Sequence, residues 1–100
     1  DWVINSGGMY IVPAAWAEVL TPFIQFPFFL TALPDANLGE QLVLLVEAPA
    51  TEKTAIMAIA QQHLGANKHH IPKQVICMDA FMHTRSGKLD RKATIKRLNM

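Results

Sequence analysis

A single cysteine, Cys77, stands among the 100 residues, which excludes a disulfide-stapled scaffold and fits a reducing compartment. No apolar run reaches about 18 residues, so no transmembrane helix is expected. Charged residues make up only 17% of the chain while apolar ones reach 51%, and that balance excludes a disordered segment. The first fifty residues contain no lysine or arginine at all: they carry Asp1, Glu18, Asp35, Glu40 and Glu47, a net charge of −5. All nine basic residues fall in the second fifty, against Glu52, Asp79 and Asp90, for a net +6. Two such unlike halves present different surfaces to different partners.

What is there is enough for one small domain with a buried core. The many apolar and few charged residues read as a domain that packs on something larger. The chain opens on Asp1 rather than methionine, which reads as a piece of a longer protein. Repeats and low-complexity segments are lacking.

The residues imply an alternation of strands and helices. Asp1 to Ser6 and Met9 to Val12 read as a small hairpin about Gly7-Gly8. Pro13 suits the first turn of a helix, which Thr21-Pro22 stops. Phe26 to Leu33 reads as a strand and Pro34 to Gly39 as its turn. Glu40 to Glu47, nearly all apolar, reads as a central strand antiparallel to it. Thr51 has the chemistry of an N-cap for a helix whose inner face is Ala55, Ile56, Ile59, Ala60, His63 and Leu64, ended by Gly65. Gln74 to Met78 reads as a third strand, with loops at Asn67 to Lys73 and Phe81 to Lys88. Asp90 opens a last helix anchored by Ala93, Ile95 and Leu98. The expected class is α+β: a small mixed three-stranded sheet with an N-terminal hairpin, covered by about three helices.

Chemistry is concentrated in Thr84-Arg85-Ser86-Gly87-Lys88-Leu89-Asp90-Arg91. Gly87 permits a tight turn that brings the Lys88 ammonium forward, and a compact charge on a flexible stem neutralises a phosphate or carboxylate. Asp90 caps the following helix, and Arg91 holds the loop by a charged hydrogen bond. The plainer reading is an exposed loop of solvated charges. It is not a nucleotide-binding P-loop, because the glycine spacing is missing. Gly7 and Gly8 allow close backbone approach to a ligand, or form a plain hairpin turn. His63, His69, His70 and His83 lack zinc-site spacing, so no metal site is expected. Trp2, Trp16 and Phe23, Phe26, Phe28 and Phe29 read as core or interface, and Cys77 as inert core.

Taken together, DWVINSGGMYIVP, PDANLGEQLVLLVE, KHHIPK and TRSGKLDRKA, in that order, resemble the small C-terminal domain of adenylate-forming enzymes: acyl-CoA synthetases, peptide-synthetase adenylation domains and luciferases. The resemblance runs nearly end to end and implies an ATP-dependent acid–thiol ligase. By that resemblance Lys88 bridges carboxylate and phosphate during adenylation, Asp1 is the interdomain hinge, and Gly7 and Gly8 border the pantetheine tunnel. His69 contacts the CoA nucleotide, and Gly87 and Arg91 support the loop. ATP and CoA are the implied substrates, with Mg2+ held mainly outside this domain. The implied partner is a large N-terminal domain of the same chain, and the implied location the bacterial cytoplasm.

The sequence departs from the family pattern in two places. Met82 and His83 stand where a proline and a basic residue are usual, and Ala15 and Ala17 where acids are usual. VINSGG and FFLTALPDANLGEQLVLLVE look most like o-succinylbenzoate–CoA ligases of menaquinone synthesis, with a fatty-acyl-CoA or other acyl-CoA synthetase as the alternative. The absent large domain holds the acyl pocket. The isolated chain is therefore expected not to turn over. Acetylation of Lys88 would remove its charge. Two readings of another class compete. One is a non-catalytic interaction module. The other is nucleic-acid binding by the basic run Arg85 to Arg97, which lacks interleaved aromatics and carries an acidic first half that would repel a polyanion.

Overall fold

Five consecutive residues of one strand, Leu42 to Val46, are each fully buried, and the architecture follows from that run. Successive side chains on a strand point to opposite faces. Leu42, Leu44 and Val46 therefore enter one hydrophobic cluster, with Leu20, Leu30, Ile56, Leu64 and Val75. Val43 and Leu45 enter a second, with Phe29 and Phe81, against which Leu89, Ile95 and Leu98 pack. A strand covered on both faces has no polar side to alternate with, which is why its sequence is nearly continuous apolar.

The computed structural model describes residues 4–6, 9–37, 39–65 and 71–98. The elements in chain order are β1 (Ile4–Ser6), β2 (Met9–Ile11), α1 (Pro13–Leu20), β3 (Phe28–Asp35), β4 (Gly39–Glu47), a 3-10 turn (Ala50–Glu52), α2 (Lys53–Leu64), β5 (Gln74–Met78) and α3 (Arg91–Arg97). β3 pairs antiparallel with β4 from Phe28↔Val46 to Asp35↔Gly39. β5 pairs parallel with β4 from Val43↔Gln74 to Glu47↔Met78. Parallel neighbours need a crossover, and α2 supplies it. The N-terminal hairpin β1–β2 joins the sheet through Ser6↔Gly39. This is the α+β arrangement expected: a mixed three-stranded sheet, an added hairpin and three helices.

Several local boundaries differ from the sequence reading. β3 begins at Phe28 rather than Phe26 and runs through Pro34 to Asp35. Proline is tolerated there because β3 lies at the sheet edge. Thr51 is not an N-cap: it lies inside the 3-10 turn, and the helix begins at Lys53 after Glu52. The Lys53 amide already bonds to the Ala50 carbonyl, so the 3-10 turn satisfies a backbone donor that a Thr51 hydroxyl cap would otherwise serve. On α3 the fully buried residue is Thr94, while Ala93, Ile95 and Leu98 are half-buried around it.

α1 opens on buried Pro13 and closes at buried Leu20. Beyond it, exposed Phe23 stacks on His63 of α2 with centroids 3.7 Å apart and planes 11° apart. The His63 ring is thus spent on helix packing. Trp16, Phe26 and Phe28 pack on the first cluster. Cys77 does the same and is half-buried. Burial pushes its thiol pKa up, opposed by the Lys53 charge and reinforced by Glu52, which keeps it in the inert thiol form at neutral pH. Among the described residues no helix is long and apolar enough to cross a membrane.

Candidate functional site

The Lys88 loop is a closed hairpin. An antiparallel bridge, His83↔Leu89, joins its two arms. Inside it the Gly87 amide donates to the Thr84 carbonyl at 2.9 Å, and the Thr84 amide to the Lys88 carbonyl at 2.8 Å. Gly87 has φ +87°. These features make a β-turn followed by a glycine bulge, the geometry of a three-residue hairpin loop. The glycine is required because a side chain is strained at that φ. Side chains tighten the turn further. Thr84 Oγ1 accepts the Lys88 amide at 3.2 Å and lies 3.0 Å from Ser86 Oγ.

The base of the hairpin is tied to both neighbouring layers. The Phe81 amide donates to Glu47 Oε2 at 2.7 Å, at the end of β4. Phe81 itself is buried, edge-on to Phe29 with centroids 5.2 Å apart. The Asp90 amide bonds to the Met82 carbonyl at 2.9 Å. Asp90 caps α3 as expected, its Oδ1 accepting the Ala93 amide at 2.9 Å. Residues 82–88 are exposed throughout. The result is a stiff, anchored finger with a lysine near its tip.

Arg91 opens α3 beneath this finger. Its guanidinium lies 5.7 Å from the centre of the Phe29 ring, a cation–π distance. An open groove of ≈ 320 Å³ runs between the start of α1, β3 and Arg91, and Ala17 lines it. A second is bounded by Met82, Ala93, Lys96 and Arg97. Neither is lined by residues 84–88. Lys88 is exposed at this turn, so its charge is open to a site on another body.

Of the residues singled out by sequence, Gly87 and Lys88 lie in one hydrogen-bonded turn with Thr84, while the Arg91 guanidinium sits over Phe29 of β3. Asp1, Trp2, Gly7, Gly8, His69 and His70 lie outside the described residues. Sequence reasoning missed Glu47 and Thr94, which anchor the finger. Thr94 carried one available signal: a hydroxyl four residues after the cap Asp90, amid the apolar positions of a short helix. Glu47 carried none, since its partner lies 34 positions away. Among the described residues no three His, Cys, Asp or Glu side chains gather to hold a metal ion.

No protein-family profile matches the sequence. Fifty residues, 48% of the chain, are 38% identical to a stretch of malpinin synthetase from Mortierella alpina, of which they make up 1%. Among solved structures, an acyl-CoA synthetase (AMP-forming)/AMP-acid ligase II-like protein from Dyadobacter fermentans matches 96% of the chain at 33% identity with a TM-score of 0.79. The fold also matches a fatty acyl CoA synthetase of Mycobacterium tuberculosis (24% identity, TM-score 0.78) and ATP-bound MatB from Rhodopseudomonas palustris (16%, 0.77), each over 95% of the chain. The chain spans 29% of the first of these proteins and 19% of the other two. Nearly the whole chain is thus similar to one domain-sized part of AMP-forming acyl-CoA synthetases.

Proposed function

We propose that this chain is the mobile C-terminal lid of a larger ATP-dependent acid–CoA ligase. The observation that carries the reading is Lys88, held exposed on an anchored finger outside the grooves described above. Such a lysine suits a site completed by a partner domain. The similarity of the chain to part of acyl-CoA synthetases supports the same reading.

The first step joins a carboxylate oxygen to the α-phosphorus of ATP and breaks the bond to pyrophosphate. Charge builds on the oxygens between two anions, and a placed ammonium in a closed, dry site stabilises it. Lys88 supplies that ammonium. In the second step the thiolate of CoA attacks the acyl carbon and AMP leaves. Lys88 is not needed there, so the lid turns away. Asp1 is proposed as the hinge of that rotation, where backbone dihedrals absorb the movement. Gly7 and Gly8 border the path of the pantetheine arm, and His69 contacts the CoA nucleotide. Gly87 and Arg91 support the Lys88 loop. The large N-terminal domain holds ATP, its Mg2+ and the acyl pocket.

The acid proposed is o-succinylbenzoate, in menaquinone synthesis in a bacterial cytoplasm, with a fatty acid as the alternative. The motifs VINSGG and FFLTALPDANLGEQLVLLVE support the first choice. The test is acid-dependent pyrophosphate release by the full-length protein across a panel headed by o-succinylbenzoate. Release with one acid names the substrate. Release with none, under conditions where the protein is folded, refutes the ligase reading.

A further inference from the structure

We infer that Thr94 is a positioning residue for Lys88, an inference that rests on the role proposed for Lys88 above. Thr94 is fully buried; the other buried polar residue among those described is Thr31. A hydroxyl offers one donor and two acceptor sites. That of Thr94 donates to the Asp90 carbonyl at 2.7 Å and accepts the Met82 amide at 3.0 Å.

Those two partners are the feet of the finger. Met82 precedes its first arm and Asp90 follows its second, and they are bonded to each other across the base. One buried hydroxyl therefore fastens both feet to α3. The bond to Asp90 alone would be ordinary back-bonding of a helical threonine, which stabilises little. The second bond is what distinguishes this site, because it crosses from the helix to the other arm. Met82 brings an amide hydrogen into a part-buried place, and Thr94 supplies its acceptor.

Lys88 sits six residues beyond Met82, on a flexible stem. A displacement of about 1 Å in a group that must meet a transition state costs on the order of 100-fold in rate. A foot that shifts on α3 moves the whole turn, because the bonds among Thr84, Gly87 and Lys88 hold it as one piece.

The experiment uses the full-length protein with Thr94→Val, which keeps the shape and removes the hydroxyl, and Thr94→Ser, which restores it. Three quantities are read: hydrogen exchange of the segment 82–90, kcat and KM for acid-dependent pyrophosphate release, and thioester formation from supplied acyl-adenylate. Thr94→Val is expected to speed exchange in 82–90 and lower the adenylation kcat about 10- to 100-fold. KM for ATP and the thioester step stay near wild type, and Thr94→Ser recovers both exchange and kcat. Equal losses in the two half-reactions, or a serine variant that fails to recover, overturn the inference in favour of a merely structural threonine. Lys88→Ala, run alongside, separates the two layers of the argument. Full adenylation by Lys88→Ala overturns the role of Lys88 and the positioning role with it. A crippled Lys88→Ala beside an unaffected Thr94→Val overturns Thr94 alone.

Discussion

Thr84 and Lys88 are bonded twice: the Thr84 amide donates to the Lys88 carbonyl at 2.8 Å, and the Lys88 amide to Thr84 Oγ1 at 3.2 Å. The backbone of the lysine is therefore fixed, while its exposed side chain keeps its reach. Rigid presentation of a flexible cation is what an approach to a site on another body requires.

Gly87→Ala tests the turn itself. A Cβ at Gly87 meets nothing within 4 Å, yet φ is +87°, so the cost is backbone strain alone. The expected loss is about 1–2 kcal/mol, and Gly87→Asn should lose less because asparagine tolerates this region. Urea midpoints of the two variants check this. An alanine variant as stable as wild type contradicts the bulge geometry.

Lys88→Ala separates the half-reactions in the full-length protein. Pyrophosphate release should fall at least about 100-fold, the scale of removing one placed electrostatic group. Thioester formation from supplied acyl-adenylate should remain within about threefold of wild type, since no interaction made only in that step is lost. Single-turnover assays of each step decide it, and a comparable loss in both contradicts the role given to Lys88.

Leu44→Ala tests the central strand. Leu44 is fully buried, and removing its side chain should cost about 2–5 kcal/mol. Val19→Ala is the control: Val19 is 44% exposed, and its truncation should stay within about 0.5 kcal/mol. Denaturant unfolding of both should separate them clearly, and equal losses would place the core elsewhere.

Cys77 makes a pH prediction. Burial raises its thiol pKa in the folded state, with Lys53 opposing and Glu52 adding to the rise. The folded state therefore disfavours the thiolate. Any contribution to stability is present below the unfolded value of about 8.5 and falls as pH climbs through that value toward the higher folded one. Alkylation rate against pH should reach half-maximum at a higher pH in the folded protein than in denaturant. A folded midpoint at or below the denatured one contradicts the assignment.

Much of the fold was legible because its signals are local. The apolar run Leu42 to Val46 names a strand buried on both faces, Pro13 and Thr21-Pro22 bracket α1, and Asp90 announces α3. Gly87 beside Lys88 marks a turn that presents a cation, since only glycine adopts that φ without strain. The sequence itself determined these elements, their order and the residue type at the tip of the finger.

Tertiary structure decided what local chemistry could not. Thr51 has the chemistry of a cap, but the 3-10 turn after Pro49 took over that end of the helix. Arg91 reads from sequence as holding the Lys88 loop by a charged hydrogen bond, and packing placed its guanidinium over Phe29. Glu47 and Phe81 stand 34 positions apart and share a hydrogen bond that no spacing rule predicts. The Thr94 hydroxyl gains its second partner only when the chain folds Met82 against it. Contacts between residues distant in sequence are formed by packing around a shared core, and their partners exist only once that core is assembled.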